Sequence, residues 1–272
     1  MRIVFGSLKY LFKNIWYILP YAILPAVFFT LLLDYSAISD LVGAFFSGTP
    51  NSDFLLNFRA MSLLRIDLLG GIYTVCAFVC FVVFETLMLS VVEKHMRLGK
   101  RTMSGAFTQF GNLLLSVIGF TLVYFILYEA WVVALSAVFF ALSSIGNTVV
   151  VCILDVLVFA VFSLALIYLI TISYLWLPCK QMTGFGNYDA FLYSYRLVSS
   201  IRGKLIVSFM IFFATIAAAI TGMSYLSELA FRGVMFVLFV FAFLNFGIRM
   251  ETVYFTADKL DREDLIRSYR EL

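Results

Sequence analysis

Charged residues are scarce in this chain. Lys, Arg, Asp and Glu make up 13% of its 272 residues, whereas hydrophobic residues make up 63%. Soluble domains contain about 25% charged residues, so a chain with about half that share cannot cover a surface that faces water. The composition excludes an ordinary soluble domain and predicts that lipid surrounds most of the chain. It also provides no concentrated basic face of the kind that binds nucleic acid.

The residue types that build metal and catalytic sites are also few. The chain has one histidine, His95, and four cysteines, with no Cys-x-x-Cys pair. Zinc sites need clustered Cys and His. A Ser-His-Asp site would need His95, which lies among cations at the edge of an apolar run. No glycine-rich phosphate loop is present either, so we expect no catalytic residue, no metal and no cofactor.

Long apolar runs dominate the sequence instead. Each of six runs has the roughly 17 residues or more that an α-helix needs to cross the hydrocarbon core. The runs cover residues 16–33, 68–92, 113–142, 148–177, 204–225 and 234–254. The predicted fold class is therefore all-α, a polytopic bundle of six transmembrane helices in one domain. Pro20 and Pro25 are expected to kink the first helix, and Pro178 to end the fourth.

Amphipathic segments are predicted between and before these runs. Residues 1–14 have apolar positions at helical spacing and three cations, which is typical of a helix lying in the membrane interface. The connection 34–67 predicts two short amphipathic helices on the outer surface, separated by the break at residues 48–51. Ser52 or Asp53 is expected to cap the second of them. The charged tail, residues 255–272, predicts a solvated or docking helix.

The distribution of Lys and Arg predicts the orientation in the membrane. Sixteen of the nineteen lie on one side if the N-terminus, both basic connectors and the tail share that side, and three lie opposite. Because cytoplasmic loops carry the excess of cations, we expect both termini in the cytoplasm and residues 34–67 outside. The implied location is a bacterial-type cell membrane.

A related unit recurs three times along the chain. Segments 7–18, 104–116 and 188–208 each lead from the basic side into an apolar run. Since all three enter from the same side, they would be parallel repeats of a helical hairpin. The alternative is that any hairpin with an interfacial leader gives this pattern.

The third of these segments carries a resemblance. Ala190-Phe191, Ser194 and Leu197 lead into a span and follow Pro178 at the end of the previous one. This pattern resembles bacterial six-helix membrane proteins of uncharacterised function, including the membrane domain fused to some glycerophosphodiester phosphodiesterases. The sequence contains no hydrolase domain, so the resemblance does not imply that activity. It implies a membrane-embedded accessory or lipid-associated role.

Charged residues inside the apolar runs are candidate functional residues, because each costs a few kcal/mol unless it is paired or hydrated. Glu85 and Arg249 have matching predicted depths, about 6–7 Å to the cytoplasmic side of the middle of their spans. We therefore expect an ion pair between them that locks two helices together.

Glu129 and Asp155 have no intramembrane cation at their depth. They are expected to be protonated, to be hydrogen-bonded to groups such as Tyr124 or Tyr128, or to face water. The functional interpretation is a polar cavity that opens outward and admits a cation, a proton or a lipid headgroup. The structural alternative is a carboxyl that holds helices together.

The basic connectors are candidates for contact with anionic lipid headgroups, at about 1 kcal/mol per cation. Solvated anchors are the alternative. The residues concerned are Lys94, Arg97, Lys100, Arg101, Arg196, Arg202 and Lys204. The sequence thus favours a non-catalytic membrane protein that is lipid-associated or accessory to a protein partner or a second copy. The alternative function is a small transporter or lipid flippase using Glu129 and Asp155.

Overall fold

The computed structural model describes residues 2–49, 53–65, 67–103, 105–145 and 147–265, with side chains from residue 6 onward. Within these ranges the chain forms eleven α-helices and no β-strand, which confirms the all-α prediction. The helices are α1 (Arg2–Ile18), α2 (Pro20–Leu32), α3 (Tyr35–Phe46), α4 (Phe54–Met61), α5 (Leu68–Leu98), α6 (Ala106–Leu142), α7 (Thr148–Ser173), α8 (Trp176–Thr183), α9 (Asn187–Ser199), α10 (Arg202–Met223) and α11 (Glu228–Ala257).

Five helical segments of the described chain are long and apolar enough to cross a membrane. They are α5, α6, the continuous stretch of α7 and α8, α10, and α11. Helices α1 and α2 supply a sixth if the bent pair counts as one span. The chain therefore has the helices of a multi-pass membrane protein, and the number of spans is five or six.

The first apolar run is not a single kinked helix over residues 16–33. Helix α1 ends at Ile18, and α2 leaves it at an angle of 90°. Pro20 stands at the start of α2, where its missing N–H costs no hydrogen bond. The direction therefore changes before the proline, whereas Pro25 lies buried inside α2. Helix α1 thus meets the start of α2 at a right angle.

The fourth run also differs from its predicted form. Helix α7 ends at Ser173, and Pro178 lies inside the short helix α8 instead of ending the span. Pro178 is the third residue of α8, so its missing N–H falls among those that have no partner within the helix. The break at Tyr174 is held in place because this buried side chain donates from its hydroxyl to the Phe246 carbonyl at 2.9 Å.

Helices α3 and α4 are the two short helices predicted in the connection 34–67, and together they form what is here named the roof. The Asp34 carboxylate caps α3 by accepting from the Ala37 amide at 3.3 Å. Asp53 caps α4 by accepting from the Leu55 amide at 2.8 Å, as predicted. The alternative cap, Ser52, lies outside the described residues, as does the end of the tail from residue 266.

The end of the bundle opposite the roof is here named the basic end, since both basic connectors lie there. Its interior holds most of the buried apolar side chains of the described chain, contributed mainly by α5 and α11. Representative members are Leu11, Leu89, Val92, Met96, Cys179, Ile248 and Val253. A second, smaller cluster lies under the roof and contains Ile38, Phe231 and Met235.

Gly247 allows α5 and α11 to approach each other closely. A Cβ atom at this position would lie 2.3 Å from the Met88 Cε atom and 2.6 Å from a Glu85 carboxylate oxygen. On the same helix, a Cβ atom at Gly233 would meet no atom within 4 Å. The two glycines therefore differ in the space available to a side chain.

We expect Gly247→Val to lower the free energy of unfolding by about 1–3 kcal/mol, because the added side chain overpacks the contact between α5 and α11. The matched variant Gly233→Val should leave stability unchanged or raise it, since valine favours a helix more than glycine does. Unfolding of both variants by SDS titration in mixed micelles measures the difference. Equal stabilities for the two variants would contradict this packing.

A candidate site: the roofed apolar cavity

Glu129 of α6 holds the chain that leaves the roof. One carboxylate oxygen accepts from the amides of Leu63 and Leu64 at 2.9 and 3.2 Å. The other oxygen accepts from the Ser62 hydroxyl at 2.7 Å. These three hydrogen bonds satisfy two backbone amides that no helix satisfies. Glu129 therefore binds backbone of its own chain, and it does not line the cavity described below.

The two tyrosines expected near the carboxyls donate to backbone instead. The Tyr128 hydroxyl donates to the Met61 carbonyl at 2.6 Å, one residue before the segment that Glu129 holds. The Tyr124 hydroxyl lies 3.2 Å from the Ile170 carbonyl and 2.8 Å from the Ser173 hydroxyl on α7. Neither tyrosine hydrogen-bonds Glu129 or Asp155, so that part of the prediction is wrong. Each one ties α6 to a neighbouring segment.

The three arginines outside the basic end gather beside the end of α2. Arg59 and Arg65 contact the buried Asp34 carboxylate at 2.8 and 3.3 Å. Arg65 also lies 3.5 Å from the Leu32 carbonyl, and Arg232 donates to the Thr30 carbonyl at 3.3 Å. The last carbonyls of a helix have no partner within it. These guanidinium groups supply partners and join the roof to α2 and α11.

A cavity of about 570 Å³ lies between the roof and the helices below it. Its volume falls within the roughly 300–1,000 Å³ typical of small-molecule sites. Apolar side chains form most of its wall, contributed by α2, α3, α4, α6, α7, α10 and α11. They include Phe29, Leu41, Phe45, Phe139, Phe159, Phe213, Ile216, Met235 and Phe239. The arrangement suits an apolar ligand better than a hydrated ion.

Of the two carboxyls that the sequence analysis singled out for a cavity, Asp155 is the one that lies in this wall. It lies in the second turn of α7, and its Oδ1 atom is buried with no hydrogen-bond partner among the described residues. The predicted polar cavity shared by Glu129 and Asp155 is therefore not formed. Tyr128 and Asp155 line the cavity, whereas Glu129 and Tyr124 do not.

Glu85 and Arg249 do not form the predicted ion pair. Both side chains are buried, but the Glu85 carboxylate lies against Gly247, and the Arg249 guanidinium lies 4.7 Å from the centre of the Phe209 ring. Residues 247 and 249 point about 200° apart, because an α-helix turns 100° per residue. Matching depth was therefore insufficient, since Glu85 packs against the face of α11 that carries Gly247, whereas Arg249 lies on the opposite face of that helix.

Four of the seven residues proposed for headgroup contact also have partners within the protein. Arg97 pairs with the buried Glu93 at 2.8 Å, and Arg101 donates to the Asn14 amide oxygen at 2.7 and 3.2 Å. Lys94 has its ammonium near Gly105, and Arg202 lies over the ring of Tyr195. The remaining three are exposed: Lys100, Arg196 and Lys204. These three are the cations best placed to contact lipid headgroups.

Sequence reasoning missed two parts of this site. Trp131 was assigned no role from the sequence, yet it lines the cavity and contacts Phe159 and Phe213. Residues 62–64 gave no signal, because two of their three hydrogen bonds to Glu129 come from backbone amides, which do not depend on residue type. The spacing of Tyr128, Glu129 and Trp131 along α6 was the available signal, since it marks polar groups in an apolar run.

Removing the Glu129 carboxyl should release the roof. We expect Glu129→Ala to speed hydrogen exchange at the Leu63 amide about ten-fold or more, because this amide loses its acceptor, whereas the Leu64 amide keeps the Ser62 hydroxyl oxygen at 2.9 Å. Glu129→Gln should change exchange much less, since its carbonyl oxygen can still accept from both amides. Mass-spectrometric hydrogen exchange in detergent measures the effect. Unchanged exchange in the alanine variant would contradict the observed contacts.

The Asp34 cluster predicts a pH dependence of stability. Burial alone would raise the pKa of Asp34, but hydrogen bonds from Ser36, Arg59 and the Ala37 amide, with the charge of Arg65, hold it below its ordinary value. A carboxyl with a lowered pKa contributes stability that is present at neutral pH and is lost as the pH falls through that lowered pKa.

Asp34→Asn should therefore destabilise the protein at pH 7 by about 1–2 kcal/mol, a modest figure because Arg59 is half exposed and its pairing is screened. The difference from the parent chain should shrink as the pH falls below about 4, the ordinary value for aspartate. Asp40→Asn is the matched control, since Asp40 forms no ion pair in the described chain. A pH-independent difference in thermal unfolding would refute the assignment.

Comparisons with known proteins assign no function to this cavity. No family model matches the chain, and no curated protein and no solved structure matches it. The function is therefore inferred from the cavity, the roof and the charges alone.

Proposed function

We propose that this protein is a non-catalytic integral membrane protein that binds the apolar chain of a lipid in the roofed cavity. The observation that carries the proposal is a cavity of about 570 Å³ with a mostly apolar wall. Inside a membrane, the most abundant apolar ligand is the surrounding lipid. The bound lipid would make the protein lipid-associated, alone or as an accessory to a protein partner.

The way the roof is anchored supports this proposal. Glu129 and Tyr128 fix residues 61–64, and Arg59 and Arg65 fix Asp34 at the start of α3. These polar contacts lie outside the apolar interior of the cavity and keep the two short helices over it. A site held open by its own framework does not have to be ordered when the ligand binds.

We further propose an orientation in which the basic end faces the cytoplasm of a bacterial-type cell. The distribution of Lys and Arg supports it, because Arg59, Arg65 and Arg232 are the cations at the roof end in the part of the chain that the structure describes. In this orientation Lys100, Arg196 and Lys204 would contact anionic headgroups. The resemblance to bacterial six-helix membrane proteins and the threefold repeat of hairpins belong to the same proposal.

A lipid flippase or small transporter is the second candidate. The buried Asp155 Oδ1 atom in the cavity wall favours it, because intramembrane carboxyls mark substrate and proton pathways. Such a protein would move a lipid between leaflets of a reconstituted vesicle, and Asp155→Asn would slow that movement. A lipid-binding protein without transport activity would leave the fluorescent lipid in its original leaflet.

Filling the cavity should remove the bound lipid. Ala217 of α10 lines the cavity, whereas Ala218 beside it is exposed on the outer surface. We expect Ala217→Phe to reduce the lipid that copurifies with the protein by about half or more, because the ring occupies the site. Ala218→Phe should leave the amount unchanged.

Mass spectrometry of lipids extracted after extensive detergent washing measures both variants. Equal lipid content in the two variants would contradict binding in the cavity. Size-exclusion profiles that match the parent protein establish that each variant is folded.

A further inference from the structure

Among the polar atoms in the cavity wall are a donor and an acceptor with no hydrogen-bond partner in the described chain. They are Nε1 of Trp131 on α6 and Oδ1 of Asp155 on α7, and both atoms are buried. The indole N–H is only a donor, and the carboxylate oxygen is an acceptor. Buried polar groups are normally hydrogen-bonded, because an unmade bond costs free energy.

The two residues are both neighbours of Phe159 in the wall. The Trp131 ring contacts the Phe159 ring edge to face, with centroids 6.1 Å apart. Asp155 precedes Phe159 by four residues on α7, so the two share one face of that helix and lie one turn apart. The Phe213 ring of α10 completes this region by contacting both Trp131 and Phe159.

We propose that the cavity selects a long-chain amphiphile whose head is a neutral hydroxyl group. The hydroxyl accepts a hydrogen bond from Trp131 Nε1 and donates one to the Asp155 carboxyl, while the chain occupies the apolar remainder. This assignment rests on the proposed function, because it names the head of the lipid that the cavity binds. It makes Trp131 and Asp155 the residues that determine specificity.

Other heads fit these two atoms less well. An ammonium group pairs with Asp155 but has no acceptor for the Trp131 N–H. A carboxylate accepts from Trp131 but is repelled by a second carboxylate nearby. A hydrocarbon satisfies neither atom. The hydroxyl is the simple head that carries both a donor and an acceptor.

Binding of four 16-carbon probes to the full-length protein in detergent tests the proposal. The probes are hexadecanol, hexadecylamine, palmitic acid and hexadecane, each used to displace tritiated hexadecanol. We expect hexadecanol to bind about ten-fold more tightly than any of the others, since it makes two hydrogen bonds in a dry site.

Three variants at the two positions and one control locate the effect. Trp131→Phe and Asp155→Leu should each weaken hexadecanol binding about five- to ten-fold and leave hexadecane binding unchanged. Asp155→Asn should retain hexadecanol binding within about three-fold, because its amide oxygen still accepts. Trp176→Phe is the matched control, since the Trp176 N–H donates to the Asn187 carbonyl instead.

The outcomes separate this inference from the proposed function. Equal affinities for all four probes would show that the cavity binds the hydrocarbon chain and does not select the head group. That result would overturn the hydroxyl assignment and would be consistent with lipid binding. A preference for hexadecylamine or palmitic acid would also overturn it. Failure of every probe to bind would overturn the proposed function itself.

Discussion

Backbone groups that leave a helix inside an apolar bundle need partners, and this requirement determines where the polar side chains of the protein lie. The carbonyls that end α2 receive hydrogen bonds from Arg65 and Arg232, and the amides after α4 donate to Glu129. In the same way, the Tyr174 hydroxyl at the break after α7 reaches the backbone of α11. With no water in the hydrocarbon core, an unsatisfied group costs several kcal/mol. The polar residues named here therefore have a structural role, which is to hydrogen-bond the backbone of their own chain.

The roof shows how such contacts create a site. Its two helices are too short to be stable alone, and their own hydrogen-bonding needs bind them to α2 and α6 through Asp34 and Glu129. Once anchored at both ends, they cover an apolar space that the longer helices leave unfilled. The cavity thus results from the hydrogen bonds and ion pairs that hold the connection between α2 and α5 in place.

Much of the fold could be predicted from the sequence, because it depends on local signals. The apolar runs predicted the long helices, and the periodicity of residues 34–67 predicted the two roof helices. Asp53 was correctly predicted as a candidate cap of α4. The errors concern features that depend on other parts of the chain. The 90° turn at Leu19 and the break after Ser173 depend on what packs against them, and Glu85 and Arg249 shared a depth but not a face.

The candidate site was predicted less well for the same reason. Glu129 and Asp155 were singled out as carboxyls in apolar runs, which is a local property, but only tertiary packing decides which of them faces a cavity. For Glu129 the sequence left open a ligand cavity or a structural carboxyl, and in the structure this side chain binds the backbone of residues 63 and 64. A hydrogen bond between a carboxylate and two backbone amides far away in the sequence cannot be predicted from a single sequence, because every residue except proline has a backbone amide.

Helix α2 has one further consequence. It has 13 residues and a length of about 20 Å, whereas the hydrocarbon core of a bilayer is about 30 Å thick. One side of α2 is exposed through Ile23, Leu24, Val27 and Leu31. In a membrane this hydrophobic mismatch would thin the bilayer beside α2 or draw headgroups down to the roof. Such a protein would partition toward thinner regions of its membrane and would bring the polar surface of the bilayer close to its own cavity.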